Sequence, residues 1–330
     1  MTPKERLLKV LDREPVDRPP VAPPTQNATV EAMEQVGVFW PEALREAEPM
    51  AKLALGVQRV CAFESLRLPF DINVEAETMG CAMRYGGPSD PPTPTQKRRD
   101  ELDSLVYPDP SASGRTAQVI EAAGMVSKEK EAGLPLIAAL GTPFEVLCTV
   151  YGFEQLHEDL AEDAARIHTT LEKILGFLTG YGQALARAGA DVLMVVDGTS
   201  QTLMPDQFRE FSAPYAGRLI RSLEKPAILH VCGAATRLIA DMAKTGAKAL
   251  SIDQQVPPAR ARADAGNLAL AGNIDVSRLY LGTPEDAAQM AREARAAGFD
   301  IVAPGCGIIP QTPLANIAAY VEAVKGMGNA

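Results

Sequence analysis

From about residue 134 onward, short apolar runs alternate with longer amphipathic segments. The runs are Leu136–Leu140, Val192–Val196, Ala227–Val231, Ala249–Ile252, Leu268–Ala271 and Ile301–Ala303. Each is nearly continuous in apolar residues, as strands covered on both faces require. Each ends in polar residues and is followed by a segment of helical period. Three helix starts share one signal, a threonine ahead of a first-turn proline: Thr142-Pro143, Thr283-Pro284 and Thr312-Pro313. Such a threonine is expected to cap the first turn.

The front of the chain is looser. Residues 2–13 predict a helix, with Thr2 as cap, Pro3 in the first turn, Glu5 closing a capping box, and Leu7, Leu8 and Leu11 as its apolar stripe. A stiff connector, Pro15–Pro20, leads to a first short strand at Val21 and Ala22, which ends in Pro23-Pro24-Thr25-Gln26-Asn27. Helical stretches run to about residue 60, and Ser65–Asp71 reads as a second strand with its exit. Residues 72–110 are irregular and proline-rich between Pro88 and Pro94, which predicts a surface excursion and not a domain linker. Two loose units plus six regular ones make eight. The expectation is one α/β domain over residues 1–330, a (β/α)8 TIM barrel with an N-terminal helical extension. An open doubly wound sheet is the alternative.

Composition narrows the function. The chain has 330 residues, 46% hydrophobic and 22% charged, with a net charge of −10. That charge disfavours nucleic acid and an anionic membrane surface. No apolar run approaches the roughly 18 residues of a membrane span, and the charged start does not resemble a signal peptide. Five cysteines without tight spacing suggest no disulfide framework, so a reducing cytoplasm is the default. Oligomeric state is left open.

Candidate chemistry sits at the strand ends. His230 and Cys232 share one side of a strand end, and Cys306 follows the last run in Ala303-Pro304-Gly305-Cys306-Gly307. One imidazole and two thiolates favour Zn²⁺, and three ligands leave a coordination position open, as in catalytic sites. Spacing alone leaves this evenly balanced against ordinary buried residues. Asp197, Asp253 and Asp71 also end apolar runs. Asp197 and Asp253 are the candidates for orienting substrate or bonding to His230, against the plainer reading that each caps a helix. Cys61, Cys81 and Cys148 read as packing residues, and His157 and His168 as solvated helical positions. Gly305-Cys306-Gly307 is no nucleotide loop, because Pro310 breaks the pattern.

Several stretches together carry a resemblance. They are Thr2–Leu8 with Pro15–Pro20, Pro24-Thr25-Gln26, Phe63-Glu64, Leu68–Asp71 and Val74–Glu77. The specific ones are Leu229-His-Val-Cys-Gly233, Ser251-Ile-Asp-Gln254, Gly272-Asn-Ile-Asp275 and Ala303–Pro313. Over nearly its whole length the chain resembles the uroporphyrinogen decarboxylase superfamily, in its corrinoid-dependent methyltransferase branch. The resemblance implies zinc on His230, Cys232 and Cys306. It also implies methyl transfer from a methylated corrinoid (methylcobalamin or a small corrinoid protein) to a small thiol such as coenzyme M. Homocysteine or a folate is an alternative acceptor, and a corrinoid-binding barrel without catalysis is a further alternative. Glu31 or a polar strand-end group is the expected fourth ligand. A decarboxylase-type lyase fits less well: the decarboxylase carries arginines after its first strand, and Pro24–Thr29 has none to neutralise a multi-carboxylate substrate.

Overall fold

A computed structural model describes residues 1–327. Seven parallel strands form one sheet in chain order: β1 Leu66–Leu68, β2 Leu136–Gly141, β3 Val192–Asp197, β4 Ala227–Val231, β5 Ala249–Ile252, β6 Ala269–Ile274 and β7 Ile301–Pro304. The six regular apolar runs all became strands, with β6 displaced toward its C-terminal side so that Asn273 falls inside it. Sequential parallel order with a crossover between every pair curls the sheet with helices outside.

Side-chain alternation divides the packing in two. Leu136, Ala138, Leu140, Leu193, Val195, Leu229 and Leu250 point outward into a large cluster with the helices. Ile137, Ala139, Val192, Met194, Val196, Ile228, Ala249, Ala269, Ala271, Ile301 and Ala303 point inward. The same inner cluster contains Leu7, Val10 and Leu11 of α1, Pro3–Leu11. Thr2 and Glu5 form the expected capping box. This helix packs among residues that begin the strands, such as Ile137, Val192 and Ile301. Each of its buried Leu or Val side chains contributes about 1.5–3 kcal/mol. One end of the curled sheet is thereby plugged, and the other is left for chemistry.

The eighth stave differs from a regular strand. Val21 joins the outer cluster and Ala22 the inner one, so the segment alternates as a strand would. It has no ladder pairing, because Pro19, Pro20, Pro23 and Pro24 lack the N–H donors a ladder needs. Single hydrogen bonds hold it instead. Val21 O accepts from Glu64 N at 2.7 Å beside β1, and Gln26 O accepts from Ile308 N at 2.8 Å beyond β7. The segment thus spans the gap between the first and last strands.

Around the sheet lie, among other helices and turns, α2 Val30–Val36, α3 Ala47–Cys61, α4 Gly114–Glu129, α5 Pro143–Tyr151, α6 Ala164–Ala188, α7 Pro284–Ala296 and α8 Leu314–Lys325. Thr142 and Thr283 cap α5 and α7 as expected. Thr312 does not cap α8: its hydroxyl is buried without a partner, and the Glu31 carboxylate accepts from Leu314 N at 2.9 Å instead. Between residues 72 and 104 lie a helical turn (Val74–Thr78), a two-stranded antiparallel pair (Met83–Arg84 with Thr93–Pro94) and a 3-10 turn.

Candidate metal centre

His230 lies in β4, paired with Val196 on one side and Ser251 on the other. Both Val196 and Ile228 face inward, so His230 does too, and it is 1% exposed. Cys232 follows the strand directly. Its N–H donates to Asp197 O at 3.0 Å, which extends the β3–β4 ladder by one bond. Gly233, at φ +69°, then turns the chain away, a conformation that suits glycine.

Cys306 enters from the loop after β7. Among the hydrogen bonds that hold that loop are Gly305 N to Ile274 O at 2.8 Å, Thr25 Oγ1 to Cys306 O at 2.8 Å, and Ile308 N to Gln26 O at 2.8 Å. Gly305 is needed for close approach, since a Cβ there would lie 2.6 Å from the Gln254 backbone nitrogen. Residues 74 positions apart meet as a result. Cys232 Sγ is 3.6 Å from Cys306 Sγ, and His230 Nε2 is 3.1 Å from Cys232 Sγ.

The imidazole is oriented by β5. His230 Nδ1 lies 3.1 Å from both Ser251 O and Ser251 Oγ. A carbonyl oxygen only accepts, so Nδ1 carries the proton and Nε2 presents its lone pair to the sulfurs. This is the arrangement of a metal-binding histidine. The spacing fits zinc. Bond lengths of about 2.3 Å to sulfur and about 2.0 Å to nitrogen put tetrahedral ligand atoms about 3.8 Å (S to S) and about 3.5 Å (N to S) apart. The observed 3.6 Å between the sulfurs and 3.1 Å from His230 Nε2 to Cys232 Sγ are each within a few tenths of an ångström of those values, and all three donor atoms lie within 4.8 Å of one another. Both cysteines are partly exposed whereas His230 is buried, so the triad is more open on its cysteine side.

Electrostatics agree with a cation at this point. The Cys232 thiol first, and then the positive charge of the His230 ring when it is protonated, hold the Cys306 thiol far below the ordinary range, at about 4, against the opposing effect of burial. Cys232 is pushed the other way, first by its hydrogen bond to Cys306 and then by burial. Burial disfavours the charged form of His230, but the negative Cys306 outweighs it and the ring titrates higher than usual. Two thiolates 3.6 Å apart repel unless a positive charge lies between them. Zn²⁺ would supply that charge, with His230, Cys232 and Cys306 as its holders.

The acidic residues singled out from the sequence have other partners. The buried Asp197 carboxylate accepts from Thr199 N, Ser200 N, Ser200 Oγ, Thr142 Oγ1 and Ser212 Oγ, and so knits together the loops after β2 and β3. Asp253 is also buried and accepts from Gln255 N at 2.9 Å; its negative charge is felt by both His230 and Cys232. Ser251, not either aspartate, bonds to His230. Asp71 ion-pairs with Arg115, and Glu31 is exposed at the start of α8. Cys61, Cys81 and Cys148 are buried, and burial raises all three thiols. His157 and His168 are half-buried on helices, where they bond to Thr202 and Tyr215.

Two buried acids, Glu75 and Glu145, have no signal in the strand ends, and the second lies beside Asp197. Glu145 of α5 accepts from Gly198 N at 2.7 Å and Thr199 Oγ1 at 3.0 Å. Burial and the negative charge of Asp197 raise it to about 7. For Glu145 the signal was present elsewhere, because it is the single charged residue of an otherwise apolar helix.

The uroporphyrinogen decarboxylase (URO-D) family pattern matches residues 2–327. The methylcobamide:CoM methyltransferase MtbA of Methanosarcina mazei is 35% identical over 333 residues, 98% of each chain. A methylated-thiol–coenzyme M methyltransferase of the same organism is 33% identical over 330 residues, 98% of this chain and 89% of the relative. The solved structure of a methyltransferase from Methanosarcina mazei superposes with a TM-score of 0.95 at 32% identity, covering 98% of both chains. The chain belongs to the uroporphyrinogen decarboxylase family and, within it, to the corrinoid-dependent methyltransferase branch.

Proposed function

We propose that this enzyme moves a methyl group from a methylated corrinoid to the sulfur of a small thiol, coenzyme M or a close analogue. The observation that carries this reading is the converging triad of His230, Cys232 and Cys306, set in a chain whose relatives are named for the same transfer. Zinc, when bound, would supply the Lewis acidity that ionises a thiol with an ordinary pKa of about 8.5 at neutral pH. The residues decide how reactive that sulfur stays. Two thiolates from Cys232 and Cys306 and a neutral His230 cancel a charge of +2, so an arriving thiolate keeps its electron density. Ser251 keeps His230 in the required tautomer. Attack of the sulfur on the methyl carbon forms the thioether C–S bond, and both electrons of the broken Co–C bond stay on cobalt.

The corrinoid would approach from the side of the partly exposed cysteines, presented free or by a small corrinoid protein. A cytoplasmic, reducing setting suits the free thiols of Cys232 and Cys306. The test is Cys306→Ala, with bound zinc and methylcobalamin demethylation by thiol measured together. Loss of both is expected; persistence of both overturns the reading.

A further inference from the structure

Arg67 is a buried guanidinium with no ion-pair partner in hydrogen-bond reach among the described residues. It lies in β1 opposite Ile137, a residue of the inner cluster, so its side chain enters the same interior that His230 faces. The residue is 2% exposed. Its Nε donates to Pro24 O at 3.2 Å, and its Nη1 is buried with no hydrogen-bond partner. The negative charge of Asp71, four residues along, reaches Arg67, but both of its oxygens bond to Arg115 and none bonds to Arg67. Burial pulls the Arg67 guanidinium down to about 10, which still leaves it charged at neutral pH. A buried charge with an idle donor is expensive to maintain unless an anion completes it.

The place of Arg67 says which anion. Pro24, its carbonyl partner, is followed by Thr25, whose hydroxyl holds the Cys306 carbonyl at 2.8 Å. One short stretch of chain therefore ties the guanidinium to the sulfur ligand. We propose that Arg67 is an anion subsite beside the metal triad that takes the acidic tail of the thiol acceptor, a sulfonate or carboxylate two or three bonds from the sulfur. A planar guanidinium offers two parallel N–H donors to such a group. Arg67 would thus determine acceptor specificity. The sulfur-to-cobalamin chemistry of this inference rests on the methyl-transfer reading; the anion site itself does not.

The test separates the two. In calorimetry on the zinc-loaded protein, ethanesulfonate has an anionic tail and no thiol, so its binding needs no turnover. Wild type is expected to bind it, and Arg67→Gln to bind it at least tenfold more weakly, with Arg67→Lys in between and zinc content maintained in all three. Methylcobalamin turnover then compares 2-mercaptoethanesulfonate, 3-mercaptopropionate and 2-mercaptoethanol. The ratio of kcat/KM for the better anionic thiol over the neutral one is expected to fall at least tenfold in Arg67→Gln, and the two anionic thiols decide between sulfonate and carboxylate. Failure of wild type to bind ethanesulfonate and to prefer either anionic thiol overturns the subsite, even if the variants do not fold. So does an unchanged ratio in Arg67→Gln. Ethanesulfonate binding that depends on Arg67, with no thiol methylated, upholds the subsite and overturns the methyl-transfer reading.

Discussion

The Nδ1 atom of His230 lies 3.1 Å from the carbonyl oxygen of Ser251 and 3.1 Å from its hydroxyl oxygen. The relationship follows from register: β4 and β5 pair these two residues directly, and both face inward. Ser251→Ala removes the hydroxyl and leaves the carbonyl. Zinc affinity is expected to fall roughly threefold to tenfold, at or below the lower limit of the about 10–100-fold seen when a ligand's supporting group is lost. Competition with a chelator measures it, and an unchanged affinity would show that the carbonyl alone orients the ring.

Zinc uptake should release protons. Cys232 is held in its protonated form because Cys306 beside it takes the negative charge. Coordination requires both sulfurs deprotonated. Affinity is therefore expected to rise with pH through neutrality. At pH 7 about one proton should leave from Cys232 per zinc bound, plus a fraction from His230, whose pKa is raised. Calorimetry in buffers of different ionisation enthalpy counts them; a pH-independent affinity would contradict the arrangement.

Glu64 anchors the start of the chain. Its carboxylate accepts from Arg6 Nη1 at 3.0 Å, Arg18 Nη1 at 2.9 Å and Val21 N at 3.0 Å while itself 7% exposed. Burial raises its pKa, but the hydrogen bonds and charges of Arg18, Val21 and Arg6 outweigh it, and the net direction is down. A group lowered on folding stabilises the fold above its unfolded value of about 4.3, and that contribution disappears as pH falls through the folded value. Wild type should lose stability below about pH 4.3 more steeply than Glu64→Gln. Glu64→Gln is expected to cost about 3–5 kcal/mol at pH 7, because two arginines lose a buried partner. Urea denaturation at both pH values checks this.

Gly305→Ala places a methyl group 2.6 Å from the Gln254 backbone nitrogen, an atom that cannot swing aside. The loop must shift and carry Cys306 with it. Zinc stoichiometry should fall well below one while far-UV circular dichroism stays as in wild type. Full zinc loading would mean the loop has slack that the structure does not show.

How much was legible beforehand depended on what carried the information. The six regular strands announced themselves because burial on both faces demands unbroken apolar runs, and the meeting of His230, Cys232 and Cys306 followed from where those runs stop. The Val21–Ala22 stave was legible in its alternation but not in its pairing, since the surrounding prolines remove donors whatever the side chains do. Ser251 stayed hidden because half of its contact with His230 is a backbone carbonyl, which every residue possesses. Thr312 carried a capping pattern, but Glu31, 281 positions earlier, reached the helix start instead. Arg67 could be named as a cation but not as an unpaired one, because that depends on Asp71 having turned to Arg115.

The proline-bound stave has a mechanical consequence. A ring of seven strands joined by continuous ladders is stiff, whereas the eighth position is pinned at scattered points, one of them the Thr25 hydroxyl on the Cys306 carbonyl. Amides there should exchange with solvent sooner than those of β2–β6. The ring is thus built like a collar whose clasp lies beside Cys306, so that loosening there breaks no rung of the seven-strand ladder.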